Sequence, residues 1–227
     1  MRYLALASDY DGTLARDGVV DDATIQAIER LIDSGRSLIL VTGRELPDLQ
    51  NVFPRLDLCR RVVAENGAVL FNPATGEKRM LADRPPQNLL DNLRARGVPG
   101  ISAGEVIVSA GRTHETQIME AIRDSGLQLQ VIFNKESLMI LPPGINKMSG
   151  LHPVLDDLQL SPHSLVGVGD AENDHAFMEG CGCSVAVANA IPSLKEMADF
   201  VTQGSRGAGV VELIDKLIDS DLSELAG

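Results

Sequence analysis

Residues 3–14 read YLALASDYDGTL, an apolar run that stops in an acidic turn. Leu4, Ala5, Leu6 and Ala7 carry no charge, the pattern of a strand buried on both faces of a parallel sheet. The run ends in Asp9, Tyr10, Asp11 and Gly12. Side chains two apart on a strand share a face, so Asp9 and Asp11 are expected to look into one crevice at the strand's carboxyl end, where open α/β sheets bind ligands. Gly12 permits a sharp turn, and the Thr13 hydroxyl can satisfy turn amides. Two carboxylates this close repel unless a divalent metal or a shared proton lies between them. Ligands that are all oxygen favour Mg²⁺, which keeps waters and also takes phosphate oxygens.

Outward from that stretch, strands and helices alternate. Asp21 or Asp22 caps a helix with Ile25, Ile28, Leu31 and Ile32 on its apolar face and Gly35 at its end. Residues 37–41 (SLILV) form a second buried strand that closes on Thr42, Gly43 and Arg44, with a short helix from about Glu45. A strand at 61–64 turns through Glu65-Asn66-Gly67-Ala68, a hairpin signal, into a return strand at 69–71. The rhythm breaks near Asp83. Pro85-Pro86 precedes an amphipathic helix through Leu89, Leu90 and Leu93, then a strand at 105–109. Thr113 is placed to cap a helix bearing Ile118, Met119 and Ile122, stopped by Gly126. Strands through Leu129–Phe133 and Ser137–Leu141 pair antiparallel across Asn134-Lys135-Glu136, and Pro142-Pro143-Gly144 closes the segment. The rhythm resumes with a helix at 147–158, in which Pro153 sits awkwardly. A strand at 164–168 runs into Gly169-Asp170, followed by a short helix with Asn173 and Asp174 and a strand at 184–187. Pro192 opens the next helix, Phe200-Val201 forms a short strand, and a helix spans 207–220. These signals predict an α/β core with a doubly wound, mostly parallel sheet, residues 1–82 and 145–227, carrying a small inserted α+β cap over 83–144.

Composition limits the function. The chain has 227 residues and a net charge of −12 with no offsetting basic stripe, which argues against nucleic acid and against anionic membrane surfaces. No apolar run reaches bilayer length. The N-terminus enters a strand pattern without a signal-peptide layout, and Cys59, Cys181 and Cys183 form no disulfide framework, so a cytoplasmic location is expected. Cys181 and Cys183 lack a second pair at zinc-ligand spacing, and His114, His152, His163 and His175 show no metal spacing.

Polar groups from four element ends are expected at one sheet edge: Asp9 with Asp11; Thr42, Gly43 and Arg44; Lys147; and Asp170 with Asn173 and Asp174. Each type suits phosphoryl transfer, which is mainly positioning and charge neutralisation. A carboxylate can attack phosphorus, and a second can protonate the leaving oxygen and then deprotonate water. A hydroxyl, an amide and an ammonium can hold phosphoryl oxygens.

The set, in this order, resembles the haloacid dehalogenase superfamily, most nearly its Cof-type phosphatases with an α/β cap between the second and third motifs. The matching stretches are Asp9–Leu14, Val41–Arg44, Asn66–Ala68, Gly144–Lys147, Gly169–Asp174 and Val187–Ala190. The resemblance implies Asp9 as nucleophile and Asp11 as general acid/base, with Thr42, Gly43 and Lys147 on the substrate phosphate; Arg44 either contacts the phosphate or the cap, or pairs with nearby acids. It implies Mg²⁺ on the Asp9 carboxylate, the Asp11 carbonyl, Asp170 and Asp174, with Asn173 beside them. It further implies hydrolysis of a small phosphorylated metabolite, phosphoglycolate or a sugar phosphate, by a monomer or homodimer. Met148 departs from the small residue often found after the motif lysine, and the cap is short. A phosphohexomutase would use the same aspartyl-phosphate. A phospho-receiver domain shares the clustered Asp, Thr and Lys, but is about half this length and needs no cap.

Overall fold

The computed structural model describes residues 1–225. Its first strand, β1 (Ala5–Ser8), is buried along its whole length, and Leu4 stays outside it and half exposed. Helix α1 (Asp22–Asp33) is capped by Asp21, whose side chain accepts from the Thr24 N–H; Ile28 and Leu31 face the core. The next elements are β2 (Ser37–Val41), α2 (Leu46–Val52), β3 (Cys59–Ala64), β4 (Val69–Asn72) and β5 (Glu77–Met80). Strand β5 carries no apolar alternation and is exposed at all four residues, so periodicity did not signal it; antiparallel pairing with β4 makes it a charged edge strand.

A second layer follows: α3 (Gln87–Ala95), β6 (Ser102–Ala103), β7 (Val108–Gly111), α4 (Glu115–Ser125), β8 (Gln130–Asn134) and β9 (Ser137–Leu141). The strand expected at 105–109 begins only at Val108, because the N–H groups of Glu105, Val106 and Ile107 turn to the buried Glu65 carboxylate instead of a ladder. Thr113 does not cap α4. It lies in a short 3₁₀ turn, Arg112–His114, that leads into the helix without a side-chain cap.

The chain returns with α5 (Lys147–Leu158), β10 (Leu165–Gly169), α6 (His175–Glu179), β11 (Cys183–Ala186), α7 (Pro192–Met197), β12 (Phe200–Val201) and α8 (Gly207–Ser220). Helix α5 runs unbroken through Pro153; burial of Leu151, Val154 and Leu155 outweighs one missing donor.

The large sheet has the order β12-β11-β10-β1-β2-β3-β4-β5, parallel from β12 to β3 and antiparallel at β4 and β5. The uncharged β1 is central because β2 and β10 cover both its edges. The antiparallel sheet β6-β7-β9-β8 alternates its faces. Val108, Ala110, Leu138 and Ile140 pack with Leu89, Leu93, Ile118 and Ile122 of α3 and α4. Ile132, Met139 and Leu141 point the other way and join the main core. The second face thus seats the small sheet on the large one. No helix among the described residues is long and apolar enough to cross a membrane.

Candidate active site

Parallel strands bring their carboxyl ends to one edge, and β10, β1 and β2 are neighbours. Asp9 leaves β1 with its N–H on the Val168 carbonyl at 3.0 Å. Thr42 leaves β2 with its N–H on the Val63 carbonyl at 2.8 Å, and Asp170 follows β10 directly. Lys147 is delivered from the opposite direction by the start of α5, fixed by a capping box between Asn146 and Ser149. The turn beside that cap admits only glycine: Gly67 has φ +108°, and a Cβ there would lie 2.0 Å from the Asn146 carbonyl oxygen.

The Lys147 ammonium is completely buried and donates to Asp9 Oδ1 and Asp174 Oδ1, each at 2.5 Å. Asp174 Oδ2 accepts the N–H groups of Asp170 and Ala171 at 2.8 and 2.9 Å, which locks the loop after β10. Carboxylate oxygens of Asp9, Asp170 and Asp174 lie within 4.8 Å of one another, all three residues buried. Burial first, then the charge of Asp174, pushes Asp9 up to about 8, against the pull of Lys147. Burial also raises Asp170, with the Lys135 ammonium opposing. Burial works against the Lys147 charge, but Asp174 and Asp9 outweigh it and hold the ammonium above its usual range. Three carboxylates around one buried ammonium form an all-oxygen set with excess negative charge, and that set fits a hard divalent cation.

Asp11 stands apart from the trio. Arg44 grips its carboxylate with two nitrogens, Nε to Oδ2 at 2.6 Å and Nη2 to Oδ1 at 2.7 Å, and reaches Asp48 through Nη1 at 2.5 Å. Arg44 is held by these two acids, which raise its affinity for the proton further, and its guanidinium lies 5.5 Å from the Tyr10 ring centre. Thr42 is buried, and its Oγ1 accepts the Arg44 N–H at 3.1 Å. Asn173 also lies outside the trio: its amide donates to Asn66 Oδ1 at 3.0 Å.

A family model for haloacid dehalogenase-like hydrolases matches residues 6–95 and 96–214. The chain belongs to that family. It is 29% identical over 222 residues to a phosphoglycolate phosphatase of Methanothermobacter thermautotrophicus, covering 94% of this chain and 98% of the relative. It is 30% identical over 230 residues to phosphoglycolate phosphatase 2 of Saccharolobus solfataricus, with coverage of 97% and 95%. A haloacid dehalogenase-like hydrolase from Bacteroides thetaiotaomicron shares the fold, with a TM-score of 0.79 at 19% identity over 95% of this chain and 99% of that one.

In this haloacid dehalogenase-like hydrolase a cavity of about 410 Å³ opens over the acidic edge, walled by Asp9, Asp11, Thr42, Gly43 and Arg44 below and by residues 134–137 and Met139 of the β8–β9 hairpin above. Met139 sits on Gly43 so closely that a Cβ there would lie 2.6 Å from the Met139 methyl carbon. Three further site residues have partners that the sequence does not place. Lys135, in the hairpin turn, bonds Asp170 at 2.5 Å. Asn189 donates to the Gly12 carbonyl at 2.8 Å and to Asp170 Oδ2 at 3.2 Å, and accepts the Arg206 N–H at 2.7 Å, so it steadies both sides of the edge. Glu65 joins the large sheet to the segment before β7. Asn189 and Glu65 occupy stretches visible in the sequence, but their partners are distant in the chain.

Proposed function

We propose that this enzyme hydrolyses phosphomonoesters of small metabolites in the cytoplasm, with Mg²⁺ held by Asp9, Asp170 and Asp174 and the phosphoryl group carried transiently on Asp9. The enzyme is a phosphatase of the haloacid dehalogenase type. The observation that carries the mechanism is the buried Asp9–Lys147–Asp174 contact at the floor of a cavity whose rim bears a second carboxylate, Asp11, two residues along.

The Asp9 carboxylate, steadied by Lys147, attacks phosphorus, and the ester oxygen leaves with a proton from Asp11. Asp11 then takes a proton from water, which opens the acyl phosphate, releases inorganic phosphate and restores Asp9. Lys147, the Thr42 hydroxyl and the Gly43 amide hold the phosphoryl oxygens. Arg44, engaged by Asp11 and Asp48, aligns Asp11. Bound Mg²⁺ would offset the charge of the carboxylates and of the phosphoryl group.

Residues 1–82 and 145–227 form the catalytic core and 83–144 the cap, which excludes water and meets the part of the substrate beyond the phosphate. The relatives named above make phosphoglycolate the first substrate to test, with sugar phosphates next. Phosphate release should be followed with Mg²⁺ over a panel of phosphorylated metabolites. Multiple turnovers on a small phosphoester are expected; no release from any member overturns the proposal. Isomerised sugar phosphate without free phosphate would instead mark a mutase.

A further inference from the structure

Lys135 stands at the tip of the β8–β9 hairpin with φ +52°. Its N–H donates to Glu172 Oε2 at 3.1 Å, and its carbonyl accepts from Arg112 at 3.3 Å, so the tip is fixed over the catalytic edge from both sides. Its side chain is 45% exposed, whereas that of its partner Asp170 is fully buried. The ammonium therefore reaches from the open cavity into the buried acidic trio. The other cations lining the cavity or its floor, among the described residues, are committed: Lys147 between Asp9 and Asp174, and Arg44 between Asp11 and Asp48.

A divalent cation bound by Asp170 would neutralise the partner of Lys135 and repel its ammonium. The tip remains anchored by its backbone, so the displaced ammonium stays in the cavity, above the phosphoryl site. Asp11 and Glu136 line the same space, and without Lys135 they would repel an anionic substrate tail. Resting on the phosphatase reading above, we propose that Lys135 selects short phosphomonoesters bearing a carboxylate, its ammonium passing from Asp170 to that carboxylate when the divalent cation binds.

The test compares phosphoglycolate with 2-hydroxyethyl phosphate, which replaces the carboxylate by an alcohol, in the Mg²⁺-loaded wild type, Lys135→Met and Lys135→Arg. The wild type should prefer phosphoglycolate. Lys135→Met should lower the ratio of the two kcat/KM values by about tenfold or more, mainly through KM for phosphoglycolate, while Lys135→Arg retains the preference. A second measurement needs no turnover: calorimetric titration of Mg²⁺ into metal-free protein should show tighter binding by Lys135→Met, because the competing ammonium is gone. An unchanged substrate ratio, or Mg²⁺ affinity that is equal or weaker in the Met variant, overturns the proposal. If the wild type turns over both esters and the Met variant keeps their ratio, only the role of Lys135 fails. If the wild type hydrolyses no phosphoester at all, the phosphatase reading fails and this assignment falls with it.

Discussion

Replacing Glu65 should loosen the small sheet from the large one. Glu65 is completely buried at φ +50°, directly after β3. Its Oε1 accepts the Glu105 N–H at 2.9 Å, and its Oε2 accepts those of Val106 and Ile107 at 2.8 and 2.9 Å. Gly104 approaches so closely that a Cβ there would lie 2.6 Å from Oε1. Glu65→Ala leaves the buried Val106 and Ile107 donors without a partner, at about 1–3 kcal/mol each, or about 2–6 kcal/mol together. Glu105 is half exposed, so water can replace its bond. Glu65→Gln keeps one acceptor oxygen but turns an NH₂ towards a donor, and should cost about 1–3 kcal/mol. Urea unfolding of the purified variants measures the loss, and amide exchange at Val106 and Ile107 locates it. The variants should rank wild type, Gln, Ala in falling stability, with faster exchange at those two amides. A change below about 0.5 kcal/mol in Glu65→Ala with unaltered exchange would contradict this role for Glu65, since buried orphan donors cannot be that cheap.

Asp9→Asn should abolish turnover in a folded protein, because an amide cannot attack phosphorus; retention of more than a few per cent of activity would remove Asp9 as the nucleophile. The same variant should change stability against pH in chelator-treated protein. Asp9 rises from 3.8 to about 8 on folding, so its contribution is full below its ordinary range and lost as pH climbs through about 8. Asn has no such loss, so Tm curves for wild type and variant should diverge between about pH 4 and 8, the wild type falling more steeply; parallel curves would contradict the origin of the shift. Chelation should silence the enzyme, with Mg²⁺ restoring it and Ca²⁺ restoring it poorly, since Ca²⁺ takes more ligands at longer distances; full activity in metal-free protein would sink the mechanism. Gly67→Ala should destabilise the protein by about 3 kcal/mol or more and impair Lys147, because the new methyl collides with the carbonyl of the α5 cap; a thermal melt within about 2 °C of wild type would show that the turn can yield.

The parts of this protein whose cause is local are legible along the chain. The uncharged run ending at Asp9, the Asn66-Gly67 turn and the Gly207–Ser220 helix follow from periodicity and turn chemistry within a few residues. Order along the chain was enough to align Asp9, Thr42 and Asp170, because parallel strands share their carboxyl edge. The remaining features depend on contacts between distant residues. Glu105–Ile107 has a strand's pattern, but its amides go to a carboxylate 40 or more positions earlier. Strand β5 is charged and exposed, and exists because β4 offers an unpaired edge. Arg44 had two readings in the sequence, and Asp11 and Asp48 hold it only because the turn after β2 lies against the one after β1. Lys135 is one polar residue in a polar turn. The alternation of Ile132, Met139 and Leu141 seats its hairpin on the core, and that long-range packing, which no local pattern encodes, brings its ammonium to Asp170.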